Sequence, residues 1–333
     1  MRDERINLVP GFLLIALAGV MWGVDGLLRV PLLADTPVSV IVFAEHAILV
    51  VATIPFLRGV VSVLRRFSRA DWVALILIGA GASAVATALF TQSFSYGQIN
   101  TTLLLQKLQP AIVLVAAWMI LKERPLRRYW AFFVPAVGGA WLMTFRDPFD
   151  VSLTEVKPAL FALGAALLWG MGTVLGRMLI PKVDFKQLTA LRFLIGLPAA
   201  AVVVSVLADW GAVWRLRADD FLDVATMPNG VSLPGGLLLV AAIPGFLALL
   251  SYYRGLRTTP AIAATLAELA FPLSAVVVNA YFQINFQPPG TSQWVGVGVL
   301  AVAITSMTVV SLTNRPGDTG ISVEAPILIP ESV

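Results

Sequence analysis

The chain of 333 residues is 58% hydrophobic and only 13% charged, with a mean hydropathy of +0.87, which leaves too little polar side chain to solvate a globule of this length. A soluble fold is excluded, and the net charge of +4 comes in no block of like charge long enough for a nucleic-acid surface. The absence of cysteine and the single histidine, His46, exclude disulfides and thiolate chemistry and argue against clustered metal ligation, so no cofactor or metal is expected.

Apolar blocks of roughly 17 to 25 residues are each long enough to cross about 30 Å of hydrocarbon at 1.5 Å per residue. They predict helices at 12–32, 38–57, 72–94, 99–121, 129–145, 157–180, 187–207, 236–254, 261–283 and 293–313. The expected fold class is an all-α integral membrane protein with ten transmembrane helices. Residues 1–11 form a short N-terminus. The first block lacks a small-residue cleavage site and is read as a retained helix, not a signal peptide. Residues 146–156 form an outer linker, 208–235 a long outer loop, and 314–333, mixing Pro, Gly and acidic residues, a flexible cytoplasmic tail.

Orientation follows from Lys and Arg, which concentrate in cytoplasmic loops near span ends. Arg58, Arg65, Arg66 and Arg69 follow the second helix; Lys122, Arg124, Arg127 and Arg128 the fourth; Lys182 and Lys186 the sixth; Arg254 and Arg257 the eighth. These connections share one side, which places both termini in the cytoplasm of a multi-pass protein of the cell membrane. Trp72, Trp130, Trp210, Trp214 and Trp294 fall at span ends, where amphipathic rings settle.

The chain repeats itself. ALAGVMWGVDGLLRVPL, from Ala16, resembles ALGAALLWGMGTVLGRMLI, from Ala162, with Trp22-Gly23 matching Trp169-Gly170. The segment ending at Pro110 likewise matches the one ending at Pro272. Two units of five helices, 12–145 and 157–313, follow. An odd helix count per unit makes the second enter the membrane inverted, an arrangement that recurs in secondary transporters because two such halves can rock about a central site.

On the Trp-Gly pairs, the Leu191-Arg192-Phe193 run, the small-residue helices broken by Pro110 and Pro272, and the Lys122-Glu123-Arg124 turn, residues 12–313 resemble the EamA-type members of the drug/metabolite transporter superfamily. The resemblance implies a ten-helix carrier with a central cavity lined by both halves, often an exporter of amino acids or related metabolites, and no enzyme. Glu45-His46 stands where the second half has Arg192-Phe193, and the Lys-Glu-Arg turn has no counterpart near Asn285.

An ionised side chain at a helix centre costs roughly 2.5 to 3.5 kcal/mol, so intramembrane charges face the bundle interior and find partners. Glu45, Lys107, Arg192 and Glu268 are such charges. Glu45 and Lys107 lie about 10 to 13 Å in from the outer face, Arg192 and Glu268 a similar distance in from the inner face, which favours ion pairs within each half over pairs across them. Structural pairing and a coupling role both remain open. His46, Glu45 or Glu268 are the groups able to carry a coupling proton.

Thr102, Gln106 and Gln109 share one face of the fourth helix, and Thr265, Glu268 and Asn279 one face of the ninth. These faces read either as cavity walls or as inter-helix hydrogen bonding. Trp22 and Trp169, near the midplane, offer rings to a substrate or pack as core. Asp25 and Arg29, four apart, pair locally as an outer gate. Pro110 and Pro272 bend their helices at matching places. The spacings Gly19 to Gly23 and Gly172 to Gly176 indicate close helix packing.

The expected partners are a small-molecule substrate and the lipid bilayer. No G-x-x-x-x-G-K-[ST] loop occurs, so the chain by itself is no ATP-driven pump. Two rivals remain: an intramembrane enzyme holding Mg²⁺ and a prenyl diphosphate on Asp219, Asp220 and Asp223, and a channel lined by the polar helix faces.

Overall fold

A computed structural model describes residues 11–96, 106, 108–125, 127–144, 147, 156–222, 224–226, 229–234, 236–282, 290–313 and 321–322. In chain order the main helices are α1 (Gly11–Leu32), α2 (Val38–Leu57), α3 (Arg69–Ser95), α4 (Gln109–Leu121), α5 (Trp130–Thr144), α6 (Lys157–Leu179), α7 (Phe185–Val206), α8 (Gly236–Leu256), α9 (Ala261–Ala267), α10 (Ala270–Phe282) and α11 (Thr291–Thr313). Among the described residues six helices, α1 to α3 and α6 to α8, are long and apolar enough to cross a membrane. The chain is a helical membrane protein.

Local chemistry sets the helix ends. Ser68 caps α3 by accepting from the Asp71 backbone N–H, and Asp71 returns the bond to Ser68, a capping box that satisfies two otherwise orphaned groups. Asp184 caps α7 through the Lys186 N–H. Pro37 and Pro260 precede α2 and α9, where a fixed φ and a missing N–H cost nothing. Lys122, at φ 57°, turns the chain out of α4.

Large apolar side chains such as Val51, Val134, Leu160 and Val206 are more than half exposed on the outside of the bundle, a surface that only lipid can cover at low cost. Inside, small residues let backbones approach. A Cβ on Gly19 would lie 3.1 Å from the Phe271 backbone nitrogen, one on Gly172 2.6 Å from the Ala82 side chain, and one on Gly176 2.9 Å from Tyr253; on Gly23 it would collide with Ser274. The expected close packing at these glycines is present. Gly139 brings α5 against Leu300 of α11, and these two helices pair at the edge of the bundle.

Two expectations are corrected. The helix expected over 261–283 is interrupted at Glu268 and Leu269, between α9 and α10. The cause is Pro272, whose ring clashes with the carbonyl four residues back and whose missing N–H leaves that carbonyl, on Glu268, without its helical donor; the Phe271 N–H serves it instead, at 2.9 Å. The tail is also not wholly free: Ile321–Ser322 pairs antiparallel with Arg124–Pro125, whose extended backbone after α4 offers open donors and acceptors. A further feature was not expected. α3 and α8 each widen into π-type turns, over Leu77–Val85 and Ala241–Leu247, a distortion that turns up most often at functional sites.

Candidate functional site

A cavity with about 1170 Å³ of empty volume lies between α1 to α4 and α6 to α10. Its wall includes every described residue marked from the sequence as a binding, charged, gating or bending position, from Trp22 on α1 to Pro272 on α10. Thr102 and Lys107 lie outside the described residues, as does the side chain of Asn279.

The two central indoles take different roles in packing. Trp22 donates its ring N–H to the Pro244 carbonyl at 3.0 Å, inside the wide turn of α8, and lies 5.3 Å from the Tyr252 ring. Trp169 lies edge-on to Phe90 at 5.0 Å. Phe271 packs in the same apolar cluster as Phe90 and Trp169, so the wall carries two aromatic groups, this one and the Trp22–Tyr252 pair.

At one end, Arg29 donates from Nε to Asp25 at 2.8 Å and from Nη2 to Glu45 at 3.0 Å. All three are buried. The local Asp25–Arg29 pair is therefore present, with Glu45 as a third member. His46 places Nδ1 2.8 Å from the Val42 carbonyl and Nε2 3.0 Å from the Ser83 hydroxyl. A nitrogen facing a carbonyl carries its proton, leaving Nε2 to accept from Ser83, so a neutral His46 is fully satisfied.

At the other end, Gln109 donates to Glu268 Oε2 at 2.6 Å. Tyr252 donates to Thr173 at 2.7 Å, and the Thr173 hydroxyl in turn donates to Glu268 Oε1 at 3.3 Å. Arg192 donates from Nη1 to the Tyr253 hydroxyl at 3.1 Å and from Nη2 to the Ala82 carbonyl at 2.8 Å. Gln106 and Thr265 are buried in the same wall, the Thr265 hydroxyl without a partner.

Of the two expected ion pairs, the one between Arg192 and Glu268 is corrected here. Glu45 is held by Arg29, a residue of α1 one turn beyond Asp25; Lys107, its expected partner, lies outside the described residues. Arg192 and Glu268 form no ion pair with each other; the hydrogen bonds of both go to uncharged groups, Gln109 and Thr173 for Glu268 and Tyr253 and Ala82 for Arg192. Reasoning from depth missed these neutral partners. Thr173, four residues after Trp169 and so on the same face, was within reach of the helix-phase argument; Tyr252 and Tyr253 were hidden by their position near a span end.

Asp219 and Asp220 sit on a short helix, Ala218–Leu222, where Asp220 accepts from the Arg217 backbone N–H at 2.6 Å. Asp223 lies outside the described residues. Among the described residues no three carboxylate or histidine side chains gather as a metal site.

The chain matches the EamA-like transporter family twice, over residues 9–145 and again over 156–309. It is 33% identical over 294 residues to the riboflavin transporter ImpX of Fusobacterium nucleatum, covering 85% of this chain and 93% of that one. It is 24% identical over 292 residues to the uncharacterized transporter YwfM of Bacillus subtilis, covering 88% and 91%. A crystal structure of another protein shares the fold, with a TM-score of 0.62 at 16% identity over 91% of this chain and 97% of that one. With two matches that together span nearly all of its helices, this chain belongs to the EamA-like transporter family.

Proposed function

We propose that the chain is a secondary carrier of a small planar metabolite, with riboflavin the first compound to test, working by alternating access between two inverted five-helix repeats at 12–145 and 157–313. The observation that carries this is the cavity itself. It is walled by aromatic rings from helices of both repeats, Trp22 and Phe90 from one and Trp169, Tyr252 and Phe271 from the other, with a few buried polar groups between them, which is the composition of a site for a flat organic molecule. The name of the relative from Fusobacterium nucleatum points the same way. In this reading ten helices span the cell membrane, both termini are cytoplasmic, and the ion triad of Asp25, Arg29 and Glu45 closes the outer end.

A second reading, export of an amino acid, has its own support. Arg192 and Glu268 face one cavity, neither in contact with an opposite charge among the described residues, and a zwitterion would satisfy both. Counterflow in proteoliposomes decides. Vesicles loaded with unlabelled riboflavin should accumulate labelled riboflavin, and Trp169→Ala should reduce the rate at least tenfold; accumulation of labelled tryptophan or leucine instead would select the second reading. Saturation and counter-transport separate a carrier from a channel. Glu268→Gln in the same vesicles, with and without a pH gradient, tests whether Glu268 couples transport to protons.

A further inference from the structure

The guanidinium groups of Arg29, Arg177 and Arg192 differ in what remains unsatisfied. Arg177 spends its Nη1 on the Leu256 and Arg257 carbonyls at a helix end, both at 2.7 Å, away from the cavity. Arg29 lines the cavity and also leaves one donor, Nη1, without a partner among the described residues, but its charge is neutralised twice over, by Asp25 and Glu45. Arg192 lines the cavity, is 8% exposed, and makes two hydrogen bonds, both to uncharged oxygens. A guanidinium has five N–H donors. Two of those on Arg192 are used, and Nε has no partner among the described residues.

A cation held away from water by neutral oxygens, with donors to spare, is an arrangement that proteins do not keep without compensation. Among the described residues no side chain in contact with Arg192 supplies it: His46, on the facing helix α2, is committed to Val42 and Ser83, and the carboxylates of Glu45 and Glu268, near enough to feel the Arg192 charge, are bonded elsewhere, to Arg29 and to Gln109 and Thr173. The compensation is then to be sought in the cavity that Arg192 lines.

Resting on the carrier reading above, we propose that Arg192 is the specificity-determining anchor of the site, taking a negatively charged or strongly polarised oxygen of the substrate. Planar, rigid donors of this kind suit a conjugated carbonyl edge or a carboxylate. The aromatic walls hold the flat body of the molecule, and Arg192 fixes which edge enters. Lysine is a poor replacement, because a point charge on a flexible stem lacks the fork.

The test pairs each probe with a partner that lacks the oxygen. Labelled riboflavin is compared with its 2-thio analogue, and labelled tryptophan with tryptamine, in counterflow by wild type, Arg192→Met and Arg192→Lys. Wild type should favour the oxygen-bearing member of the transported pair at least tenfold in half-saturation, and Arg192→Met should reduce that preference to threefold or less. Arg192→Lys, which keeps the charge and serves if the methionine variant does not insert, should weaken half-saturation three- to tenfold. An unchanged preference and half-saturation in either variant overturns the role of Arg192 and leaves the carrier reading standing. Wild-type vesicles that move none of the probes overturn the carrier reading for these substrates, and the role of Arg192 with it.

Discussion

Pro272 stands four residues after Glu268, and the helix breaks between them, so the residue that removes the helical hydrogen bond and the residue that faces the cavity are parts of one device. Pro110 stands at the same spacing after Gln106, and both of those also line the cavity. In a carrier, a broken helix at the binding site supplies free backbone groups and a place to bend. Pro272→Ala restores an N–H that can reach the Glu268 carbonyl. The expected result is a protein at least as stable to heating in detergent as wild type, with riboflavin counterflow slowed about tenfold by the loss of the bend. Unchanged counterflow would show that the break is only structural.

The triad of Asp25, Arg29 and Glu45 is balanced on one cation. Removing Arg29 leaves two buried carboxylates facing each other, and breaking a buried pair in this way costs about 3 to 5 kcal/mol. Arg29→Met is therefore expected to aggregate or to lose most of its thermal stability in detergent-solubilised form. Adding Glu45→Gln and Asp25→Asn removes the uncompensated charges and should recover a monodisperse peak on size exclusion. Failure of the triple variant to recover would place the role of Arg29 in packing instead of charge.

How far the sequence reached depended on the range of the interaction. Helix positions were legible because apolar length and proline are local signals: each of the helices α1 to α11 overlaps the block that predicted it, while short helices such as Ala218–Leu222 fall in expected loops, and Asp25 and Arg29, four apart, were paired correctly. The cavity wall was legible for a related reason, since a polar or aromatic side chain at mid-span faces inward, and Trp22, Gln106, Trp169 and Glu268 meet there. The partners of the charges were not. Depth along a helix locates a residue in one dimension only, and finding Arg29 for Glu45, or choosing between Arg192 and Gln109 for Glu268, depends on helix rotation and neighbour order. The π-type turns in α3 and α8 leave no mark in hydropathy, although Pro244 in the second is a local cause of irregularity.

Asp71 and Lys182 approach to 2.6 Å, but the two ends of this bridge are unequal. Half of the Lys182 side chain is exposed, so water screens its charge and its removal should cost no more than about 1 kcal/mol. Asp71 is buried and also completes the capping box with Ser68. Asp71→Ala should cost about 1 to 2 kcal/mol more than Lys182→Ala. Thermal unfolding of the two variants side by side reads the asymmetry; equal losses would mean that the bridge, and not the cap, carries the contribution of Asp71.

Glu123, just past α4, accepts from the backbone N–H groups of Ala261 and Ile262 at 3.0 and 3.1 Å and so caps α9 from a distant part of the chain. It is 1% exposed. Glu123→Ala leaves two buried donors unpaired, at about 1 to 3 kcal/mol each, and should lower the unfolding midpoint clearly. Glu123→Gln keeps one oxygen acceptor and should fall between the two. Acidity adds a second reading. Burial pushes the Glu123 carboxyl above its ordinary value, against the pull of the two N–H groups. The folded state then binds the proton more firmly than the unfolded chain, so this contribution to stability is complete below the unfolded value and is lost as pH rises through the folded one. The unfolding midpoint of wild type relative to Glu123→Gln should therefore drift downward between pH 4 and pH 7. An upward drift would mean that the two backbone donors, and not burial, set the charge state of Glu123.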